Sequence, residues 1–310
     1  MFQFLKKEKP APILLESLSL FGKLPGIADY TKVNAHLEHA VMVNAEIERM
    51  MAGLHEQGNS AIHSLEMQCV FEQEGRWLVT HVCHSQDKSG REYPFTGVGF
   101  VSHPLIKECQ PAVPAILSPF SDYLRTLKAK VSSKSDLETG LKNADQLRFP
   151  HTKASLLEDE IALLKQMSQS EWLAETYPGQ SKQMIADQIL SVGKSIHAFK
   201  RGECEQLTFA LSPQNLLISM TLWLQWIEGL LQPKRWPLHY CMIGTTTHAQ
   251  LHVWLKPLSQ YQFLEWVKPV VLPVNRATGS PELVAILSKD DLNLCEAMYR
   301  WQQEVSRALT

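Results

Sequence analysis

Apolar side chains recur at mostly three- and four-residue intervals between Thr31 and Gly58, at Val33, Leu37, Val41, Ile47, Met51 and Leu54. This spacing predicts a long amphipathic helix, stopped by Gly58 and Asn59. The period then changes. Leu65–Phe71 and Trp77–Cys83 are rich in β-formers and flank the polar run from Glu72 to Arg76, a hairpin signal, and a third strand, Phe95–Val101, follows the turn at Gly90. Three strands in antiparallel meander with the long helix over one face, plus a helix over Ser118–Val131, make a first folding unit.

Few apolar positions occur between Ser132 and Thr152, although Leu137 and Leu141 fit a short helical piece. This stretch is the expected linker. Beyond it the pattern predicts helices over Ser155–Met167 and Lys182–Lys200, a strand over Gln206–Leu211, and a helix over Pro213–Leu231 with Ser212 as N-cap. A second hairpin, Leu238–Gly244 with Ala249–Leu255, turns around Thr245–His248. Helices over Pro257–Val267 and Asp290–Leu309 end the chain, the last capped by Asp290 and Asp291. The expected fold class is therefore α+β, an α/β-type sandwich of two domains, each a mainly antiparallel sheet flanked by helices. The domains run over 1–135 and 155–310 with a linker at 136–154. A chain of 310 residues has room for two cores.

Composition narrows the function classes. The hydrophobic fraction of 45% and charged fraction of 20% are those of an ordinary folded protein. The net charge of -2 is shared evenly between the halves, with no basic module, so nucleic acid is not an expected partner. Six scattered cysteines without a C-x-x-C pair read as reduced thiols in a cytoplasmic protein. Pro10 and Pro12 interrupt the N-terminal segment before any signal-peptide core forms. The most apolar window, Leu216–Leu231, carries Ser219, Gln225 and Glu228 and falls short of the ~20 apolar residues of a membrane span, so no transmembrane segment is expected.

No catalytic set, cofactor motif or metal site stands out. His81-Val82-Cys83-His84 offers zinc-type ligands, but strand alternation puts residues 81 and 83 on one face and 84 on the other. His239, Cys241, His248 and His252 form a second loose set on the expected hairpin. Gly193-Lys194-Ser195 ends like a phosphate-binding loop, yet Gln188 stands where its first glycine is needed and no strand precedes it. Glu158-Asp159-Glu160 reads as a solvated helix face. Trp223 and Trp226 read as core, with a docking surface as the other account.

Two short segments carry the main functional signal. Phe21-Gly22-Lys23-Leu24-Pro25-Gly26-Ile27-Ala28-Asp29-Tyr30 combines glycines with a turn-fixing proline, and Asp29 can accept backbone hydrogens at the start of the long helix. In Asp87-Lys88-Ser89-Gly90-Arg91-Glu92-Tyr93-Pro94-Phe95, Asp87 suits an Asx-type turn, Gly90 a positive φ, and Pro94 the opening of a strand. The planar Arg91 guanidinium suits a bidentate grip on a carboxylate, with Asp29 or Asp87 as mate, locking the two loops together.

Together these segments resemble the paired signatures of the TagF (ImpM-like) family associated with bacterial type VI secretion, F-G-K-L-P-x-x-G-D-F and D-x-x-G-R-x-[FY]-P. Gly22, Lys23, Leu24, Pro25 and Asp29 match the first; Asp87, Gly90, Arg91, Tyr93 and Pro94 match the second. Ala28 stands in place of the family glycine and Tyr30 in place of the commoner Phe. The similarity covers about residues 18 to 120, with a weaker echo in the Trp-bearing helix and following hairpin. It implies a non-enzymatic, cytoplasmic regulator that restrains assembly of the secretion apparatus after translation, by sequestering a partner such as a forkhead-associated scaffold protein. The alternatives from the residues are a hydrolase or transferase with a site assembled from dispersed groups such as His81, Cys83 and Arg91, and a structural subunit of the apparatus.

Overall fold

The computed structural model describes residues 14–56, 64–73, 76–102, 104–144, 147, 153–200, 206–231, 239–254 and 280–309. Its centre is an eight-stranded sheet in which every pairing is antiparallel, confirming the α+β class. The strands are β1 (Leu14–Gly22), β2 (Thr31–Val33), β3 (Glu66–Gln73), β4 (Arg76–Cys83), β5 (Phe95–Ser102), β6 (Gln206–Leu211), β7 (His239–Gly244) and β8 (Ala249–Trp254), in the spatial order β2-β1-β5-β4-β3-β7-β8-β6.

The expectation of two sheets is corrected by the pairing of β3 with β7, which runs from Glu66 opposite Gly244 to Phe71 opposite His239. Both halves of the chain thus contribute to one continuous sheet. The reason is the apolar edge that each hairpin would otherwise leave open: Val70, Phe71, Tyr240 and Met242 are buried where the two edges meet, and joining them satisfies two rows of backbone groups at once. The central strand β4 is buried along almost its whole length, so Thr80 and His81 lie in the interior beside its apolar side chains.

Two apolar layers sandwich this sheet. On one face, α1 (Glu38–Glu56) lays Ala40, Val43, Ile47 and Met51 onto Phe21, Met67, Cys69, Leu78, Val82 and Val98. The helix is shorter than its sequence pattern, because Thr31–Val33 pairs with β1 instead. The other face carries α2 (Pro104–Glu108), α3 (Val113–Lys130), α4 (Lys134–Ala144), α5 (Lys153–Lys165), α6 (Gln169–Thr176), α7 (Lys182–Lys200), α8 (Leu216–Leu231), α9 (Pro281–Leu287) and α10 (Leu294–Leu309). From these come the larger core, including Trp172, Trp223, Trp226 and Trp301, all essentially unexposed. The core account of Trp223 and Trp226 therefore holds.

Several local expectations change. The short helical piece expected at Leu137 and Leu141 is α4, and it is packed rather than free: Leu137 is buried and Tyr123 donates to the Gly140 carbonyl. Ser212 caps a turn ahead of α8, accepting the Asn215 amide at 3.0 Å, and the helix itself starts three residues later than Pro213. The cap of α10 is Asn293, whose side chain accepts the Glu296 amide at 3.0 Å, not Asp290 or Asp291. In the acidic run on α5 Glu160 is buried rather than solvated, and Gln225 donates to it at 2.9 Å. Burial pushes its carboxyl up to about 7, against the opposing Gln225 bond. Gly193-Lys194-Ser195 lies inside α7, where Gly193 packs against Val305. The helix expected over Pro257–Val267 lies outside the described residues.

Candidate functional site at the two signature loops

The two signatures meet in space at the end of β1 and the entry to β5. Gly22 closes β1 with φ +123°, and a Cβ there would sit 2.2 Å from the Pro94 carbonyl oxygen. Only glycine fits this contact. Leu24 is fully buried, Ile27 donates to the Leu24 carbonyl at 3.0 Å, and Gly26 approaches the Val131 carbonyl so closely that a Cβ would meet it at 2.3 Å. The first loop is thereby clamped between the second loop and the end of α3.

Asp87 organises the second loop. Its side chain is fully buried and accepts the Ser89 amide at 2.8 Å and the Arg91 amide at 3.0 Å on Oδ1, the Asx turn that the D-x-x-G-R spacing predicts. Gly90 donates to the Asp87 carbonyl at 2.9 Å with φ +79°. The other carboxylate oxygen, Oδ2, takes the Arg91 Nε at 2.7 Å and faces the Lys23 ammonium at 3.6 Å. Desolvation works to raise this carboxyl, and the Arg91 amide, the Arg91 guanidinium and the Ser89 amide outweigh it, holding Asp87 below the usual carboxylate range. Two cations share this one buried carboxylate, and with Asp29, Lys88 and Glu92 counted the corner is balanced in formal charge.

Two backbone carbonyls of the first loop accept cross-links from the second. Lys88 donates its amide to the Ile27 carbonyl at 3.1 Å, and Arg91 Nη2 donates to the Ala28 carbonyl. Of the two proposed mates for Arg91, Asp87 is the bonded one. Asp29 lies 3.9 Å from Nη2 with its side chain 92% exposed, so that pair is loose and screened. Nor does Asp29 cap the long helix, which starts nine residues later at Glu38. Tyr93 stacks edge-on against Tyr30 at 5.2 Å, and Tyr30 donates to Asn44 on α1 at 2.7 Å, tying the corner to the helix. Lys128 on α3 donates to the His84 carbonyl at 2.9 Å from the other side. Sequence reading gave no sign of these last supports, because each joins residues far apart in the chain.

The corner is built from rigid parts and presents Pro25, Asp29, Lys88, Ser89, Arg91 and Glu92 to solvent, with Arg91 58% exposed. What it offers chemically is one outward guanidinium held in a fixed plane, flanked by further charges.

Of the dispersed groups weighed as an active site, Arg91 belongs to the corner, while His81 and Cys83 lie on β4. His81 and Cys83 share the helix-rich face of β4, but neither ring nitrogen of His81 has a hydrogen-bond partner among the described residues, and Cys83 Sγ points to the Phe95 carbonyl at 3.6 Å. Burial, aided by Arg125 and Lys128, pushes the His81 imidazole down to about 3, and burial raises the Cys83 thiol to about 11. A neutral imidazole beside a protonated thiol is not an activated nucleophile pair. His239 and His252 lie buried on the α1 face, His252 with Nδ1 3.2 Å from Thr208 Oγ1. Among the described residues no three His, Cys, Asp or Glu side chains are placed to hold a metal ion, and no helix is long and apolar enough to cross a membrane. Compared with models of protein families the chain matches none, and no curated protein sequence matches it.

Proposed function

We propose that the protein is a regulatory binding protein of the kind its signature loops resemble, a TagF-like restraint on type VI secretion that works by covering a contact surface of a scaffold partner. The observation that carries this reading is the convergence of both signatures on one buried carboxylate. Residues up to nearly seventy positions apart, from Lys23 to Arg91, spend their polar groups on holding a small exposed corner rigid. Rigid presentation lowers the entropy lost when a partner binds, which suits sequestration. Binding then shifts the partner away from its assembled state in proportion to its preference for the free form.

A forkhead-associated scaffold protein is the partner class we propose, and a cytoplasmic site of action follows from it. Organisation into an N-terminal unit carrying the corner and a C-terminal unit braced on the same sheet belongs to this reading. Deletion of the gene tests it: a restraint, once lost, leaves secretion unchanged or raised, whereas loss of a structural subunit abolishes secretion. Arg91→Ala in the restored gene is expected to behave as the deletion does while the protein accumulates normally. Abolished secretion on deletion, or turnover of a substrate lost with a single side chain, overturns the proposal.

A further inference from the structure

The seam between the two halves of the chain carries a pair of sulfurs that the signature loops do not involve. Cys69 on β3 stands directly opposite Cys241 on β7, and their Sγ atoms are 2.8 Å apart, within an ångström of bonding distance. Both are completely buried in the layer under α1. They are the one cysteine pair in contact among the described residues, and they join positions 172 apart in sequence. The next side chain in the same cross-strand row is His252, opposite Cys241 on β8. Its Nδ1 is turned to Thr208, and the row makes no metal-binding group. What remains is two-sulfur chemistry.

We propose that Cys69 and Cys241 are a dithiol–disulfide pair that staples the β3–β7 seam when the chain folds in contact with an oxidised low-molecular-weight disulfide. The Cys69 thiolate attacks one sulfur of the small disulfide, breaking its S–S bond and releasing one thiolate. The Cys241 thiolate then attacks the Cys69 sulfur of the mixed disulfide, forming the protein S–S bond and releasing the second. Protons lost by the two cysteines end on the two released thiols. The protein pair gives up two electrons and the small disulfide accepts them.

Burial decides when this happens. Desolvation, with the neighbouring Cys241 adding to it, raises the Cys69 thiol far above its ordinary range, so little thiolate exists in the closed sheet and no oxidant reaches it. Exchange proceeds while the seam is open, during folding or unfolding, and the closed sheet then preserves the outcome. The pair records the redox condition under which the chain folded.

The test is refolding of the full chain from denaturant with glutathione disulfide, or with dithiothreitol, followed by alkylation under denaturing conditions and peptide mapping. Oxidative refolding is expected to yield a Cys69–Cys241-linked peptide and to lower the alkylatable thiols from six to four. Already folded protein given the same oxidant is expected to react at least ten-fold more slowly. The oxidised form is expected to unfold roughly 5–10 °C higher because a long loop is closed, a gain absent in Cys241→Ser and reversed by reduction. Alkylation of both cysteines after oxidative refolding, or their linkage to other cysteines, overturns the pair. Equal oxidation rates for folded and refolding protein overturn the gating by burial. Peptide mapping of the unsubstituted chain decides both points even if Cys241→Ser fails to fold.

Discussion

The signature corner and the tryptophan core below α8 are both rigid, but they are held by different physics. At the corner, one buried carboxylate gathers two amides, a guanidinium and an ammonium, and directional bonds fix the loops. In the core, Trp172, Trp223, Trp226 and Trp301 lie with neighbouring ring centroids 5.6 to 6.5 Å apart, and apolar area does most of the work. Even here the polar edges are placed: Trp223 donates to the Ala210 carbonyl at 2.8 Å and Trp172 to Ser219 at 2.8 Å. Volume holds one region and charge geometry the other. The two are therefore expected to fail under different insults, and the core to bear most of the stability.

Truncation of the core has the largest expected effect. Trp223→Ala removes a fully buried indole in contact with Trp172, Phe209, Trp226 and Trp301 and is expected to cost about 3–5 kcal/mol in urea unfolding, a large share of the stability of a typical domain. A loss below about 1 kcal/mol would mean that the site collapses around the gap and that the contrast with the corner is weaker than drawn.

Acid separates the buried interior as a whole from the corner by pH window. Burial lowers His81 to about 3 and both His239 and His252 to about 4. The unfolded chain binds these protons near pH 6.5 and the folded chain does not, so the stability present above pH 6.5 is lost progressively as pH falls toward those folded values. Glu160 works oppositely. Its raised carboxyl, at about 7, makes the folded state the better proton binder, so its contribution is full below about pH 4.5 and is lost as pH rises through 7. Three losses against one gain give a net fall of about 3 kcal/mol between pH 6.5 and 5. His81→Leu, which replaces an imidazole without hydrogen-bond partners among the described residues by an apolar side chain, is expected to flatten this slope by about half. Asp87, held low, contributes its stabilisation above the ordinary carboxylate range, and that is lost only below about pH 4. Thermal unfolding followed across pH 2 to 7 checks both windows.

Next in size is the backbone of the corner. Gly22→Ala forces a Cβ to within 2.2 Å of the Pro94 carbonyl at φ +123°, and neither a rotamer change nor a side-chain shift relieves backbone against backbone. The expected cost is roughly 2–4 kcal/mol. Gly90→Ala is the control: it keeps the positive-φ strain but meets nothing within 4 Å, so it should cost clearly less. Equal losses would show that dihedral strain, not the loop-to-loop approach, sets the requirement for glycine.

How much of this was legible differs along the chain. Gln206–Leu211 and Lys182–Lys200 were found at their boundaries, because alternation in one and three- to four-residue spacing in the other are uninterrupted. Strand β1 was missed. Its leucines and serines are weak β-formers, and a bulge between Glu16 and Ser19, with Ser17 at φ 56°, breaks the two-residue period. The single sheet was also illegible, since β3 and β7 find each other across some 170 positions and nothing local encodes that pairing. At the site the Asx turn of Asp87 was readable because its bonds lie within four residues. The choice between Asp29 and Asp87, and the approach of Lys23, depended on how two loops pack.

The smallest expected effect on stability is the most informative about function. Arg91 is more than half exposed, so the attraction between its guanidinium and Asp87 is partly screened, and Lys23 remains to face the carboxylate if Arg91 is removed. Arg91→Ala is expected to lower the unfolding midpoint by about 2–4 °C at most. If the corner meets a partner, the same change lowers affinity by ten-fold or more, because an outward arginine in a fixed plane is a typical interface anchor. Arg91→Lys then discriminates further. It keeps the charge but cannot span Asp87 Oδ2 and the Ala28 carbonyl together, so a partner that reads charge alone tolerates it and one that reads the planar fork does not. Affinity and stability falling in parallel would assign Arg91 to the scaffold of the loops; affinity falling with the midpoint nearly unmoved assigns it to the contact itself.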